Sequence, residues 1–256
     1  MSFYQERFEI RFSKNYNELI ESRKIRHKVF IVEMGNINKQ EPTKSNIEQD
    51  KFDKFCRHLI IIDHENTKKN TSGKIIGVTR LMLSEDSEKG IGFYCSQEFN
   101  LKPIISTQKK CLEIGRTCID PAYRNTLILH YLWIELGSFC SKHGIEILFG
   151  VGSFVGNNVG KIAMALSYIY NEYLAPPEIR PIALKKGFIE MKIIPKDEID
   201  KLKALKQMPN LLKSYLRLGG IVGEGAYMDR ELNTIDILIM IDILHMNKKF
   251  KIYYEK

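Results

Sequence analysis

Charged residues set beside short apolar runs are the part of this sequence most able to do chemistry. Arg26 stands four before Phe30, Asp50 three before Asp53, and Glu113 three before Arg116. Arg80 sits inside the run Gly77-Val78-Thr79-Arg80-Leu81. Two of these charges interrupt strand-like runs, where a charge is costly unless it is paired. Val78, Leu81 and Met82 read as buried, so Arg80 needs a carboxylate, and Asp50, Asp53 and Glu113 are the candidates. A buried cluster of mixed sign is either a structural ion network or a reaction centre. The order and spacing of these residues point to the second.

Glu113 and Arg116 raise a geometric question. Three apart on a regular strand, they point to opposite faces. Gly115 lies between them, and a glycine inside a strand often marks a bulge that re-aims side chains. A bulge here turns both towards one place and splays this strand from a parallel neighbour, opening a slot for a thin, extended ligand. Asp50 and Asp53 share a face if the chain is locally helical. One apparent motif is set aside. His58-Leu59-Ile60-Ile61-Ile62-Asp63 has the HxxxxD spacing of glycerolipid acyltransferases. Its intervening residues are strand formers, however, and five apart on a strand two side chains oppose each other.

Several elements must position these residues. Phe8–Phe12 alternates as a half-buried strand, and 17–29 has helical spacing that puts Arg26 and Phe30 on one face. Gly35 and Asn36 end that helix, and 38–46 is a polar loop. The runs 58–63 and 74–83 read as a hairpin with a long polar tip. Cys111–Ile119 is a further strand, 126–142 a helix closed by Gly144, and 146–151 a strand. Asn158–Tyr173 is a helix, another starts at Asp197 and is broken by Pro209, and 234–244 is the last strand. The chain reads as one domain, 1–256.

Bulk properties narrow the function classes. The 256 residues are 44% hydrophobic and 27% charged, an ordinary globular balance with room for a core. No apolar run is long enough to span a bilayer, and the N-terminus lacks a secretion-signal layout, so a cytoplasmic location is expected. The five cysteines, Cys56, Cys95, Cys111, Cys118 and Cys140, include no CxxC pair and fit buried reduced thiols. The histidines show no HExxH spacing, so no metal site is expected. The net charge of +8 suits an acidic partner. No helix-turn-helix, zinc-finger or RNP-like pattern points to nucleic acid.

The topology and the bulged strand resemble the GNAT acyltransferase fold. Arg26 and Phe30, Asp50 and Asp53, Arg80, and Glu113 and Arg116 resemble, in order and local spacing, the charged set of the acyl-homoserine-lactone synthases, a GNAT branch using acyl carrier protein. The tryptophan which that branch carries shortly after its R-x-x-x-F is absent, since the only tryptophan here is Trp133. A closer resemblance is to the ornithine-acyl carrier protein N-acyltransferases, a family also given the label hemolysin. Three segments carry it: Asp50 to Leu59; Leu112 to Ile119 with Tyr123-Arg124; and Pro209 to Gly220 running on to Asp236.

The resemblance implies an α+β, three-layer α/β/α fold with a mixed, mostly antiparallel sheet and a splayed, bulged central strand. It implies a family-specific part over about 196–256. It further implies transfer of a (3-hydroxy)acyl chain to the α-amine of ornithine, giving lyso-ornithine lipid. Catalysis falls to Glu113, Arg116 and Arg80, and substrate binding to Arg26, Phe30, Asp50, Asp53, Cys118 and Arg124. No cofactor is held permanently; the donor is the acyl-phosphopantetheine of acyl carrier protein. Ordinary GNAT enzymes cradle the coenzyme A pyrophosphate on a Q/R-x-x-G-x-G/A loop. Arg124-Asn125-Thr126-Leu127-Ile128-Leu129 has no glycine, which favours a carrier protein. Homoserine-lactone synthesis, acylation of glycine or lysine, and a non-enzymatic membrane-binding role are the alternatives. The stretch 185–217 is basic with Leu202, Leu205, Leu211, Leu212 and Leu216 interleaved, and the tail from Lys248 to Tyr254 is basic too. Both suit contact with the anionic inner membrane surface.

Overall fold

The computed structural model describes residues 7–34, 46–65, 73–124 and 127–246. In chain order its elements are β1 (Phe8–Phe12), α1 (Tyr16–Arg26), β2 (Arg57–Asp63), β3 (Lys74–Leu83), α2 (Ser84–Lys89), β4 (Phe99–Asn100), α3 (Lys102–Ile105), β5 (Cys111–Ile119), α4 (Ile128–His143) and β6 (Ile147–Val155). Then follow α5 (Val159–Tyr173), β7 (Ile182–Ala183), β8 (Phe188–Ile189), α6 (Lys201–Gln207), α7 (Asn210–Arg217), β9 (Ile221–Val222), β10 (Ala226–Asp229) and β11 (Thr234–Asp242). This is an α+β fold whose sheet is mixed and mostly antiparallel, the β5–β6 pair being parallel. The described residues fall into two compact units. One is drawn from Met1–Met82 and Ile114–His143, the other from Leu83–Glu113 and Gly144–Ile252.

In the first unit β1, β2 and β3 pair antiparallel in turn, and β3 has β5 as its other neighbour. Gly77 in β3 meets that neighbour closely: a Cβ there would lie 2.8 Å from Ile61 Cδ1 and 3.1 Å from the Cys118 carbonyl. Asn15 caps α1, accepting the Glu18 N–H at 3.0 Å. The expected helix over 17–29 stops being α at Arg26, and His27–Glu33 winds as a π-helix. Such wide turns recur at functional sites, and side-chain periodicity does not announce them. Ile25 and Val29 pack with Ile60, Ile62, Ile75, Val78 and Cys118 as the core, with Phe30 against it. The expected end at Gly35 and Asn36 lies outside the described residues.

In the second unit Cys111 to Glu113 of β5 pair with Ile147 to Phe149 of β6, and that ladder ends there. β6 pairs along its whole length with β11, which also takes β10 and β9, and β10 takes β8. Ile235, Ile237 and Ile239 form one face of β11. They pack with Leu166 and Ile169 of α5 and with Leu212 and Leu216 of α7. Asn158 caps α5, and Asp200 caps α6 by accepting the Lys203 N–H at 3.0 Å. Pro209 separates α6 from α7.

The leucines considered for membrane contact are mostly in use. Leu212 and Leu216 are buried and Leu205 packs against them, while Leu202 is exposed. Each fully buried leucine contributes roughly 1.5–3 kcal/mol to folding, which a membrane-facing orientation would forgo. The basic tail from Lys248 lies outside the described residues. Among the described residues no helix is long and apolar enough to cross a membrane.

Candidate active site

Six of the charged residues form a closed ion network in the first unit. The Arg26 Nη1 donates to Asp53 Oδ1 at 2.8 Å, and its Nε pairs with Glu48. Arg80 Nη1 donates to Asp50 Oδ1 at 2.6 Å and to Asp53 Oδ1 at 2.8 Å. Arg116 Nε donates to Glu48 Oε1 at 3.1 Å and its Nη2 to Asp50 Oδ2 at 3.3 Å. Arg23 Nε lies 3.3 Å from Asp53 Oδ2, close enough for charge attraction but without hydrogen-bond geometry. Arg26 is fully buried at 0% exposure and Arg80 is 3% exposed, so only this density of partners makes the charges tolerable.

The backbone explains how residues far apart in sequence meet. Asp53 N–H donates to the Asp50 carbonyl and opens a short 3-10 turn, so the two aspartates do share a face. Arg26 is the last residue of α1. On β5 the irregularity anticipated at Gly115 falls one residue later: Arg116 has φ 52°, in the left-handed region where an arginine is uncommon. The Arg116 guanidinium sits 5.9 Å over the Phe30 ring, a cation–π contact that brings Phe30 to the network. Glu48 is the member that sequence reasoning missed. It lies in a non-periodic polar stretch, where nothing in the sequence signals burial.

The expectation that Asp50 and Asp53 would bind substrate meets oxygens already held by guanidinium groups. Burial pushes the Asp53 carboxyl up, but Arg26 and Arg80 more than offset this and hold it at about 2. Burial likewise works against the Asp50 charge, and Arg80 and Arg116 bring its pKa below the usual 3.8. His58 faces the same cluster, with Nε2 3.3 Å from the Asp53 carbonyl; burial lowers it to about 4, so it is neutral at pH 7. Asp63, its distant partner in the HxxxxD spacing, is paired instead with Arg7 at 2.9 Å.

These shifts predict acid sensitivity in two stages. Asp53 falls from 3.8 to about 2 on folding, so its contribution is whole above about pH 4 and drains as pH falls towards 2. His58 falls from 6.5 to about 4, so its contribution is whole above 6.5 and is lost between those values. Urea midpoints measured from neutral pH down through both windows should fall twice. His58→Gln should abolish the upper fall and keep the lower.

Cys118, Arg124 and Glu113 make contacts of their own. Cys118 lies in the apolar core with Ile25 and Val29, where burial pushes its thiol up to about 12, a packing position. Arg124 is exposed and grips Glu33 with two bonds, at 2.5 and 2.7 Å. Asn125 and Thr126, in the stretch lacking glycines, lie outside the described residues. Glu113, 5% exposed, belongs to the second unit. Its Oε2 accepts the Tyr94 N–H at 2.9 Å and its Oε1 the Cys95 N–H at 2.7 Å. Cys95, Cys111, Cys118 and Cys140 are buried free thiols, as expected of all five; Cys56, also free, is only half-buried.

This fold is that of the GNAT class of acyltransferases. Residues 25–134 match the Acetyltransferase (GNAT) domain family. Over 97% of its length the chain is 35% identical to L-ornithine N(alpha)-acyltransferase of Rhodobacter capsulatus, covering 95% of that protein. Over 96% it is 30% identical to the protein of that name from Agrobacterium fabrum, covering 84% of it. The chain belongs to the L-ornithine N(alpha)-acyltransferase family. Its fold is similar to that of an N-acyl amino acid synthase from uncultured soil microbes, with TM-score 0.53 and 11% identity over 93% of this chain and 92% of that one.

Proposed function

We propose that the enzyme moves a (3-hydroxy)acyl chain from the phosphopantetheine thioester of an acyl carrier protein to the α-amine of ornithine, giving lyso-ornithine lipid. The observation that carries this reading is full-length relationship at 35% identity to a protein named for that acceptor and that nitrogen. The carrier-protein donor is supported by the net charge of +8, which suits an acidic partner, and by the glycine-free stretch Arg124 to Leu129.

An ammonium has no lone pair, so the α-amine must lose a proton before it attacks. In the proposed reaction Glu113, acting through a water, takes that proton. The nitrogen then bonds to the thioester carbonyl carbon, an oxyanion forms and collapses, and the C–S bond breaks. The phosphopantetheine thiolate leaves and takes up the second proton that the nitrogen gives up in becoming an amide, so free carrier thiol accumulates one for one with amide. Arg80 and Arg116 act by holding Glu48, Asp50 and Asp53 in place. The buried Arg26 Nη2, which meets no acceptor among the described residues, supports an anionic group being drawn to the network. A single-chain lipid product has to reach a bilayer, so release at the inner membrane surface is part of the same proposal.

The test is incubation with 3-hydroxyacyl-carrier protein and ornithine, following thiol release and product mass. Acyl-carrier protein should outperform acyl-coenzyme A, and its advantage should shrink as salt screens the encounter. Equal use of both donors rejects the carrier-protein assignment. Thiol release with glycine or lysine but not ornithine rejects the acceptor.

A further inference from the structure

Glu98, Asp229 and Asp236 come from three separate stretches of the second unit, yet one carboxylate oxygen of each lies within 4.8 Å of the other two. All three are buried, at 4%, 8% and 1% exposure. Their placement follows from the sheet. Asp236 and Thr234 are two apart on β11 and share the face opposite the Ile235–Ile237–Ile239 core. Asp229 is the cross-strand partner of Thr234 in the β10–β11 register, so its side chain is on that face too. The Thr234 hydroxyl is buried on this same face, and its Oγ1 has no hydrogen-bond partner among the described residues.

Glu98 reaches the cluster from the turn Tyr94–Gln97. Its N–H donates to the Cys95 carbonyl at 3.1 Å, and its carbonyl accepts the Leu184 N–H at 2.8 Å. That turn is the one whose Tyr94 and Cys95 N–H groups are bound by Glu113. The two features are therefore mechanically joined: Glu113 holds the turn, and the turn carries Glu98. Burial foremost, then the charges of Glu98, Asp229 and Glu231, raise the Tyr227 phenol, in keeping with a strongly negative face.

Three buried carboxylates and a spare hydroxyl make a receptor for a small cation. We propose that Glu98, Asp229 and Asp236, with the Thr234 hydroxyl, bind the side-chain ammonium of the amino-acid acceptor. This rests on the ornithine reading and deepens it. Oxygens about 2.9 Å from one tetrahedral nitrogen lie about 4.7 Å apart, within the spread seen here. One Asp229 oxygen already accepts the Glu231 and Leu232 N–H groups, at 2.7 and 3.0 Å. The anchor also explains the choice of nitrogen. Carboxylates around the terminal amine favour its charged form, so it keeps its proton and cannot attack the thioester, leaving the α-amine as the nucleophile.

The experiment compares ornithine with 2-aminopentanoic acid, the same chain without the terminal amine. Ornithine should raise the Tm of the wild-type protein well above any effect of 2-aminopentanoic acid, and Asp236→Asn or Glu98→Gln should remove the difference. In turnover, either variant should cut the ornithine preference by about tenfold or more, about the weight of one charge-assisted hydrogen bond, and should yield some product acylated on the terminal nitrogen. Thr234→Val, which keeps the charges, should show a smaller shift in the same direction. Equal Tm shifts for the two acceptors on wild type overturn the site even if ornithine is acylated. A Tm increase with calcium or manganese that Asp236→Asn abolishes overturns it in favour of a metal. An ornithine shift lost in the variants, from an enzyme that acylates some other amine, upholds the site and rejects the ornithine reaction.

Discussion

Glu113→Gln will lower kcat/KM for ornithine acylation by about 100-fold or more while leaving a folded protein, the range associated with losing a positioned proton acceptor. The substitution keeps size and removes basicity. It also changes a second thing, because both oxygens of Glu113 receive backbone N–H groups, from Tyr94 and Cys95. Glutamine has one acceptor oxygen and turns a donor towards the other N–H. Two measurements separate the causes. Loss of proton transfer removes the acid limb of the pH–rate profile and falls on kcat. Displacement of the turn leaves that limb in place and falls on KM, since the turn carries Glu98. We expect the limb to vanish. A folded variant with near-normal kcat/KM removes Glu113 from the reaction.

Asp53→Ala will destabilise the protein by about 3–5 kcal/mol, the usual cost of leaving a buried charge without its partner. Asp53 receives Arg26 and Arg80, both at 2.8 Å, and both guanidinium groups are buried. Removing the carboxylate leaves Arg26 with Glu48 and Arg80 with Asp50, two buried positive charges that repel each other with one shared acid gone. Against the 5–15 kcal/mol typical of folded domains, that is a large fraction. The urea midpoint should fall sharply with the slope unchanged. Adding Arg26→Met should recover part of the loss, because a neutral pair of similar volume needs no compensation. A loss below about 1 kcal/mol would mean that solvent reaches the network and screens it.

Much of this arrangement was legible in the sequence, and the reasons differ by residue. Apolar runs with an unwelcome charge are informative because burial forces pairing, which is why Arg80 with Asp50 and Asp53 was readable. β5 was readable to its ends, Cys111 and Ile119, because apolar residues and Pro121 bound it. Glu48 was not, because a carboxylate in a polar loop looks the same whether it is hydrated or buried. The π-helix after Arg26 was missed for want of any periodic signature. The cluster of Glu98, Asp229 and Asp236 was unreadable for a third reason. Its members lie in the turn before β4, at the end of β10 and inside β11, and only the sheet register makes them neighbours. Searching for close-spaced His and Cys could not find it.

The two units interleave along the chain, and this has a consequence for how the protein is made. Glu48 and Arg116, which pair in the first unit, are 68 residues apart, and Asp50 and Arg116 are 66 apart. As the chain leaves the ribosome, Arg26, Glu48, Asp50, Asp53 and Arg80 emerge early and remain hydrated until β5 follows. By then Leu83–Glu113 has also emerged, yet it belongs to the unit that is finished last. Nascent chains cut before β5 should therefore be open to protease throughout, and protection of the N-terminal segment should appear abruptly once Arg116 clears the exit tunnel. The entropic cost of closing so long a loop grows only slowly with its length. The delay is therefore one of synthesis time, during which the apolar β2 and β3 strands depend on chaperones rather than on their own ion network.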